Sequence, residues 1–171
     1  MVMSEQPTIR ILDRPGDLGW ITMAHGEVYA AEFGWDRSFE ALVGEIVAGF
    51  ARSQHPDRER GWIAELGGRR VGCVLCVDGE GGVAQLRLLL VTPEGRGHGL
   101  GGRLADACVA FARDAGYLRM RLYTNHPLLA ARRIYGERGF VQVAERAHRS
   151  FGVALVGQTL ELDLAASATA G

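Results

Sequence analysis

Residues 91–103 read Val91-Thr92-Pro93-Glu94-Gly95-Arg96-Gly97-His98-Gly99-Leu100-Gly101-Gly102-Arg103, and they join an apolar run, Leu88-Leu89-Leu90-Val91, directly to a segment of helical period. Five glycines fall within the eight residues from Gly95 to Gly102. In regular structure each costs about 0.5–1 kcal/mol relative to alanine, so something must require them. Anion binding is such a requirement: bare glycines let backbone N–H groups turn inward around a phosphate, and the helix that starts here adds the positive end of its dipole. Arg96 and Arg103 add charge at the same point.

Working outward, Val83 to Val91 reads as a strand whose apolar end places it in the middle of a sheet, covered on both faces. The helix after the loop runs from about Leu100 to Ala115, with Leu104, Ala107, Cys108 and Phe111 inward and Gly116 as its stop. Upstream, Thr8 to Leu12 is a strand and Leu18 to Phe33 a helix stopped by Gly34. A second helix follows the N-cap Asp36 and carries Phe39, Leu42, Val43, Ile46 and Phe50 as one stripe. Trp62 to Leu66 and Arg70 to Val77 form a hairpin at Gly67-Gly68. Downstream come a strand (Leu118 to Tyr123), a helix (Leu128 to Arg138) and two strands (Phe140 to Glu145, Val156 to Leu164). The result is an α/β (α+β) order with a mixed sheet flanked by helices, expected as one domain over residues 1–171, with the tail 165–171 fraying.

Charge narrows the function. With 19 Lys+Arg against 20 Asp+Glu, the net charge is -1 and no block of like charge exists, so neither nucleic acid nor an anionic membrane is an expected partner. The first ten residues lack the pattern of a signal peptide, and no apolar stretch approaches the ~20 residues that span a bilayer. A cytoplasmic location is expected. Cys73 and Cys76 form a C-x-x-C, but on a strand residues three apart point to opposite faces, so they read as core and no metal site is expected.

Three phosphate-loop readings compete. A Walker A loop needs Gly-Lys-Ser/Thr, whereas Gly102 is followed by Arg103-Leu104. Gly97-His98-Gly99-Leu100-Gly101-Gly102 matches the dinucleotide fingerprint, but Tyr123-Thr124-Asn125 stands where an acidic ribose ligand belongs. The third reading is an acyl-CoA loop. Arg96-Gly97-His98-Gly99-Leu100-Gly101 resembles the Arg/Gln-x-x-Gly-x-Gly/Ala signature of GNAT acetyltransferases, and Ala131 through Tyr135 to Gly139-Phe140 resembles the family's second motif, Ala-x-x-Leu-Tyr-x-x-x-Gly-Phe, with Ile134 in place of Leu. From about Arg14 to Leu164 the chain is similar to the acetyltransferase half of fused MarR-type regulator and acetyltransferase proteins, without a helix-turn-helix half.

The resemblance implies a mostly antiparallel sheet of six to seven strands with about four helices, and acetyl-CoA as acyl donor. It implies direct attack by a primary amine, of a small molecule or a protein, in a ternary complex. A non-catalytic acyl-CoA-binding sensor or interaction module is the alternative. By position, the backbone of Leu89, Leu90 and Val91 would hold pantetheine, and Arg96, Gly97, His98, Gly99, Leu100, Gly101, Gly102 and Arg103 the diphosphate. Ala131 and Asn125 would also contact the cofactor, though Leu128 stands where relatives place an asparagine. Tyr135 would lie by the sulfur as general acid, since a phenol with pKa near 10 keeps its proton at neutral pH. No carboxylate lies on the Val83–Val91 strand, so Glu27 and Glu32 are the base candidates, each equally readable as part of a solvated helix face. His25, Tyr29 and Trp35 are expected to shape the acceptor site, and Arg87 to meet an acidic acceptor group or a structural carboxylate. His148 and Ser150 approach the pocket in relatives, with a turn role as the alternative. A homodimer is expected from the frequency of dimers.

Overall fold

The computed structural model describes residues 5–53 and 55–165. The order is β1 (Thr8–Ile11), α1 (Asp17–Phe33), α2 (Arg37–Ser53), β2 (Arg60–Leu66), β3 (Arg69–Asp78), β4 (Val83–Val91), α3 (Leu100–Asp114), β5 (Arg119–Asn125), α4 (Leu129–Glu137), β6 (Val141–Ser150) and β7 (Val153–Asp163). A single 3-10 turn, Pro93–Gly95, opens the glycine loop. Among the described residues seven strands make one sheet, ordered β1-β2-β3-β4-β5-β7-β6. All neighbours are antiparallel except β4 and β5.

Alternation along β2 and β3 divides the core. Trp62, Ala64, Val74 and Cys76 pack with α3 residues Leu104 and Cys108 on one face, while Ile63, Cys73 and Leu75 pack with Ile21, Val43 and Phe50 of α1 and α2 on the other. Cys73 and Cys76 therefore do face opposite ways, and both are free and buried. The start of α1 is pinned to the sheet by Asp17, fully buried, whose carboxylate accepts from Arg10 at 2.8 and 2.9 Å, from Arg70 at 2.8 Å and from the Arg14 amide at 2.9 Å. Burial opposes its ionisation, but these donors outweigh that cost and hold the carboxyl well below its ordinary range.

Two expectations need correction. The stripe on α2 runs through Phe39, Val43, Val47 and Phe50, while Leu42 is 41% exposed. Strands β6 and β7 are also longer than the sequence pattern indicated. Residues Val141 to Ala147 are all exposed, so no buried stripe extends the strand read at Phe140 to Glu145; its full length to Ser150 is defined by the backbone ladder with β7. Of the tail expected to fray, residues 166–171 lie outside the described residues.

The feature that positions the site is a divergence at the centre of the sheet. Strand β4 pairs with β5 only over Val83–Gln85, opposite Arg119–Arg121, and then departs. Its register against β3 shifts between Cys73 and Leu75, opposite Leu90 and Arg87, which leaves one extra residue on β4. Leu88 within that bulge has φ 57°, a left-handed conformation that a leucine rarely adopts, and a bulge of this kind bends its strand. The backbone of β4 from Leu86 onward is thereby released from β5, and the glycine loop follows directly.

Candidate active site

Two adjoining cavities occupy the divergence. The larger, ≈ 640 Å³, is walled by α1 (Val28, Tyr29, Glu32), the end of β4 (Leu89, Leu90, Val91), the glycine loop and α4. The smaller, ≈ 220 Å³, lies on the α2 side of β4, against Leu42, Ile46, Arg87 and Phe151. Tyr29, Leu89, Leu128 and Ala131 line both, so they form the wall where the two meet.

Gly97 and Gly99 have φ of 85° and 68°, and a Cβ built on either would meet no protein atom within 4 Å. Left-handed backbone is thus combined with open space on the cavity side. Among the described residues the amides of Gly97 through Gly102 donate to no protein acceptor; the first bonded one is Arg103 N–H, to the Gly99 carbonyl at 3.1 Å. The first turn of α3 carries no acidic residue that would compete for them. Arg96 lines the cavity and is held at 2.6 Å by Glu32.

Most of the residues assigned to the cofactor by sequence, namely Leu89 to Val91, Arg96, Gly97, Gly99 to Gly102 and Ala131, line the larger cavity. Four do not. His98 is exposed and lines neither cavity, because the loop turns its side chain out at that position. Arg103 is also exposed, and its guanidinium donates instead to the Pro7 carbonyl at 3.3 Å. Asn125 lines the smaller cavity, where its Oδ1 meets His148 Nε2 at 3.0 Å, while His148 Nδ1 meets Ser150 Oγ at 2.9 Å. Since the Asn125 oxygen can only accept, His148 carries its proton on Nε2 and accepts from Ser150. Tyr135, one turn after Ala131 on α4, likewise lines the smaller cavity. It is 5% exposed with its ring 5.8 Å from that of Phe140, and its hydroxyl makes no hydrogen bond among the described residues. Burial, reinforced by Tyr29 and Cys108, pushes its pKa well above that of a free phenol, so it is protonated at any physiological pH.

The residues expected around the acceptor do converge: His25, Tyr29, Trp35 and Arg87 all line the smaller cavity. An aromatic stack organises them, with ring centroids 4.7 Å apart for Tyr29–Phe39, 4.8 Å for Trp35–Phe39 and 4.9 Å for Trp35–Phe151. His25 donates from Nδ1 to the Ile21 carbonyl at 2.8 Å, which leaves Nε2 as a lone pair without a partner. Burial lowers its pKa from 6.5 to about 4, so the ring is neutral at neutral pH.

Neither base candidate reaches this cavity. Glu27 is exposed and lines neither cavity; Glu32 sits on the larger one, paired with Arg96. The helical period separates them from the acceptor side: Tyr29 and His25, four apart, share the inward face of α1, and Glu27 falls between them on the other face. Sequence reasoning missed Phe151, which has φ 57° in the turn after β6, and left Leu42 and Ile46 as core. Incomplete burial of those two α2 residues is visible only once the helix is docked.

Comparison with known proteins agrees with this architecture. Residues 20–140 match the model of the acetyltransferase (GNAT) family. The chain is 30% identical over 141 residues to an uncharacterized N-acetyltransferase of Schizosaccharomyces pombe, covering 82% of this chain and 86% of the yeast protein. It is 35% identical over 117 residues to N-acetyltransferase 8 of Rattus norvegicus, covering 65% of this chain and about half, 53%, of the rat protein. Among solved structures, the fold is shared with an N-acetyltransferase from Staphylococcus aureus Mu50, at TM-score 0.77 and 17% identity, over 93% of this chain and 99% of that one. It is shared too with spermidine N-acetyltransferase from Vibrio cholerae in complex with CoA and spermine, at TM-score 0.71 and 19% identity, over 94% and 96% of the two chains. The protein belongs to the GNAT acetyltransferase family.

Proposed function

We propose that the protein moves the acetyl group of acetyl-CoA to a primary amine by direct attack with both substrates bound, the donor in the larger cavity and the amine in the smaller. The observation that carries this reading is the set of unpartnered amides from Gly97 to Gly102 on the wall of a cavity that shares Tyr29, Leu89, Leu128 and Ala131 with a second one. The residues present fit a diphosphate: left-handed glycines with open space beside them, a helix N-terminus without acidic side chains, and Arg96 at the rim. Bound there, acetyl-CoA supplies an acyl group activated as a thioester. Leu89 to Val91, whose backbone is released from β5, would orient the pantetheine arm by hydrogen bonds along the strand.

On the acceptor side, the wall favours an uncharged amine. Among the described residues it contains no Asp or Glu, and His25 offers a neutral lone pair. Desolvation in such a cavity disfavours the ammonium form, which has no free pair with which to attack. Tyr135 retains its proton on Oη and would give it to the departing sulfur, a role open to it because no group among the described residues holds that hydroxyl.

Thermal shift with acetyl-CoA, followed by thiol release across an amine panel, tests the assignment. Failure of acetyl-CoA to raise the melting temperature sinks the donor site; binding without turnover on any amine favours the sensor alternative. The free, buried state of Cys73, Cys76 and Cys108 supports action in the reducing cytoplasm. The edge strand β6, with Val141 and Val143 exposed, supports a homodimer, which light scattering in solution checks.

A further inference from the structure

We infer that the acceptor amine also carries a carboxylate, being an amino acid with an apolar side chain, and that Arg87 binds that carboxylate. The inference rests on the donor and acceptor assignment above. Arg87 is half-buried in the wall of the smaller cavity and, among the described residues, its guanidinium makes neither an ion pair nor a hydrogen bond. Other partly buried arginines find a partner: Arg10, Arg70 and Arg138 meet a carboxylate within 2.8 Å, while Arg60 lies over the Phe111 ring and Arg132 donates to the His126 carbonyl. A desolvated cation left without a counter-charge is costly, and burial accordingly pulls the Arg87 pKa below its ordinary value. Among the described residues no carboxylate lines the cavity, so the missing counter-charge has to come from what enters it. A polycationic acceptor would meet the opposite of the wall it needs.

The remaining features of the cavity suit the rest of such a molecule. Two buried polar atoms in its lining residues, His25 Nε2 and Thr124 Oγ1, have no partner among the described residues and can accept from an amine. Trp35, Phe39, Leu42 and Phe151 form an apolar face for a side chain. At ≈ 220 Å³ the space is below the roughly 300–1,000 Å³ of pockets for drug-sized ligands, which suits a single amino acid.

The test pairs each acid with its decarboxylated amine: L-phenylalanine with 2-phenylethylamine, and L-leucine with 3-methylbutylamine. In the wild-type enzyme the acids are expected to show kcat/KM at least tenfold higher than the amines, the range a charge-assisted bidentate contact supplies. Arg87→Gln should collapse this ratio toward one, mainly through KM for the acid, and Arg87→Glu should invert it. Retention of the acetyl-CoA thermal shift by both variants shows that they fold and keep the donor site. A second readout is calorimetric binding of N-acetyl-L-phenylalanine to the wild-type protein, weakened about tenfold or more in Arg87→Gln. Equal use of acids and amines by the wild type, or a ratio that survives Arg87→Gln, overturns the inference while leaving acetyl transfer intact. So does a wild-type protein that is shifted by acetyl-CoA yet neither turns over nor binds any of the acids. Loss of the acetyl-CoA shift itself would instead overturn the donor assignment.

Discussion

Replacing Gly99 by alanine separates backbone strain from ligand contact, because the chain contains a matched control. Gly99 sits at φ 68°, ψ 16° and Gly34 at φ 71°, ψ 21°, and a Cβ on either meets no protein atom within 4 Å. The two substitutions therefore impose the same left-handed strain, about 1–2 kcal/mol. For a chain of this size that lowers the melting temperature by roughly 2–8 °C in both variants, at 2–4 °C per kcal/mol. Only Gly99 lines the larger cavity; Gly34 closes the end of α1 outside both. At a CoA concentration of about 100 times Kd the wild type and Gly34→Ala should gain about 2.7 kcal/mol, or roughly 5–11 °C. A methyl group at Gly99 obstructs the approach of the diphosphate to the amides. A tenfold weaker Kd would reduce that gain to about 1.4 kcal/mol. The assay is a melting curve at a series of CoA concentrations, with Kd from calorimetry. Equal CoA stabilisation in the two variants would refute the claim that this loop wraps the diphosphate.

Three further outcomes are expected. Tyr135→Phe should lower kcat by about 10²- to 10⁴-fold with little change in melting temperature, because the hydroxyl holds no other group of the protein; unchanged kcat removes the acid role. Asp17→Asn removes the buried carboxylate from Arg70 and leaves Arg10 with Glu65 alone, and should cost about 3–5 kcal/mol in chemical denaturation; a loss under 1 kcal/mol shows that the cluster is not holding α1. His25 titrates at about 4 in the folded chain and 6.5 unfolded, so between these values only the unfolded chain takes up the proton. Stability should fall by up to about 3 kcal/mol as pH drops from 6.5 to 4, and His25→Phe should remove that part of the slope; an unaltered slope refutes it.

Much of the fold was legible along the chain because each element announces itself locally. Gly34 stops α1, Asp36 caps α2 and accepts from the Ser38 amide at 3.0 Å, and the period-2 pattern of β2 and β3 divides Cys73 from Cys76. The donor loop was legible for the same reason, since the dihedrals of Gly97 and Gly99 demand glycine wherever the rest of the chain goes. The continuation of β6 from Arg146 to Ser150 escaped because no buried stripe marks it: Arg146, Ala147 and Arg149 are all exposed.

What the sequence by itself determined was thus the order of elements and the glycine-rich loop whose amides from Gly97 to Gly102 have no acceptor among the described residues, both properties of short stretches. The sequence named His25, Tyr29, Trp35 and Arg87 together, but which side chains face the smaller cavity was decided by tertiary structure. Glu27 and His25 are two residues apart, yet the docking of α1 turns one to solvent and the other to the cavity. For Arg87 the sequence left an acidic acceptor group and a structural carboxylate as alternatives, until the parting of β4 from β5 at the Leu88 bulge leaves that charge facing a space that, among the described residues, no carboxylate lines. Pairing is a relation between distant segments, and the absence of a counter-charge becomes visible only when every neighbour is in place.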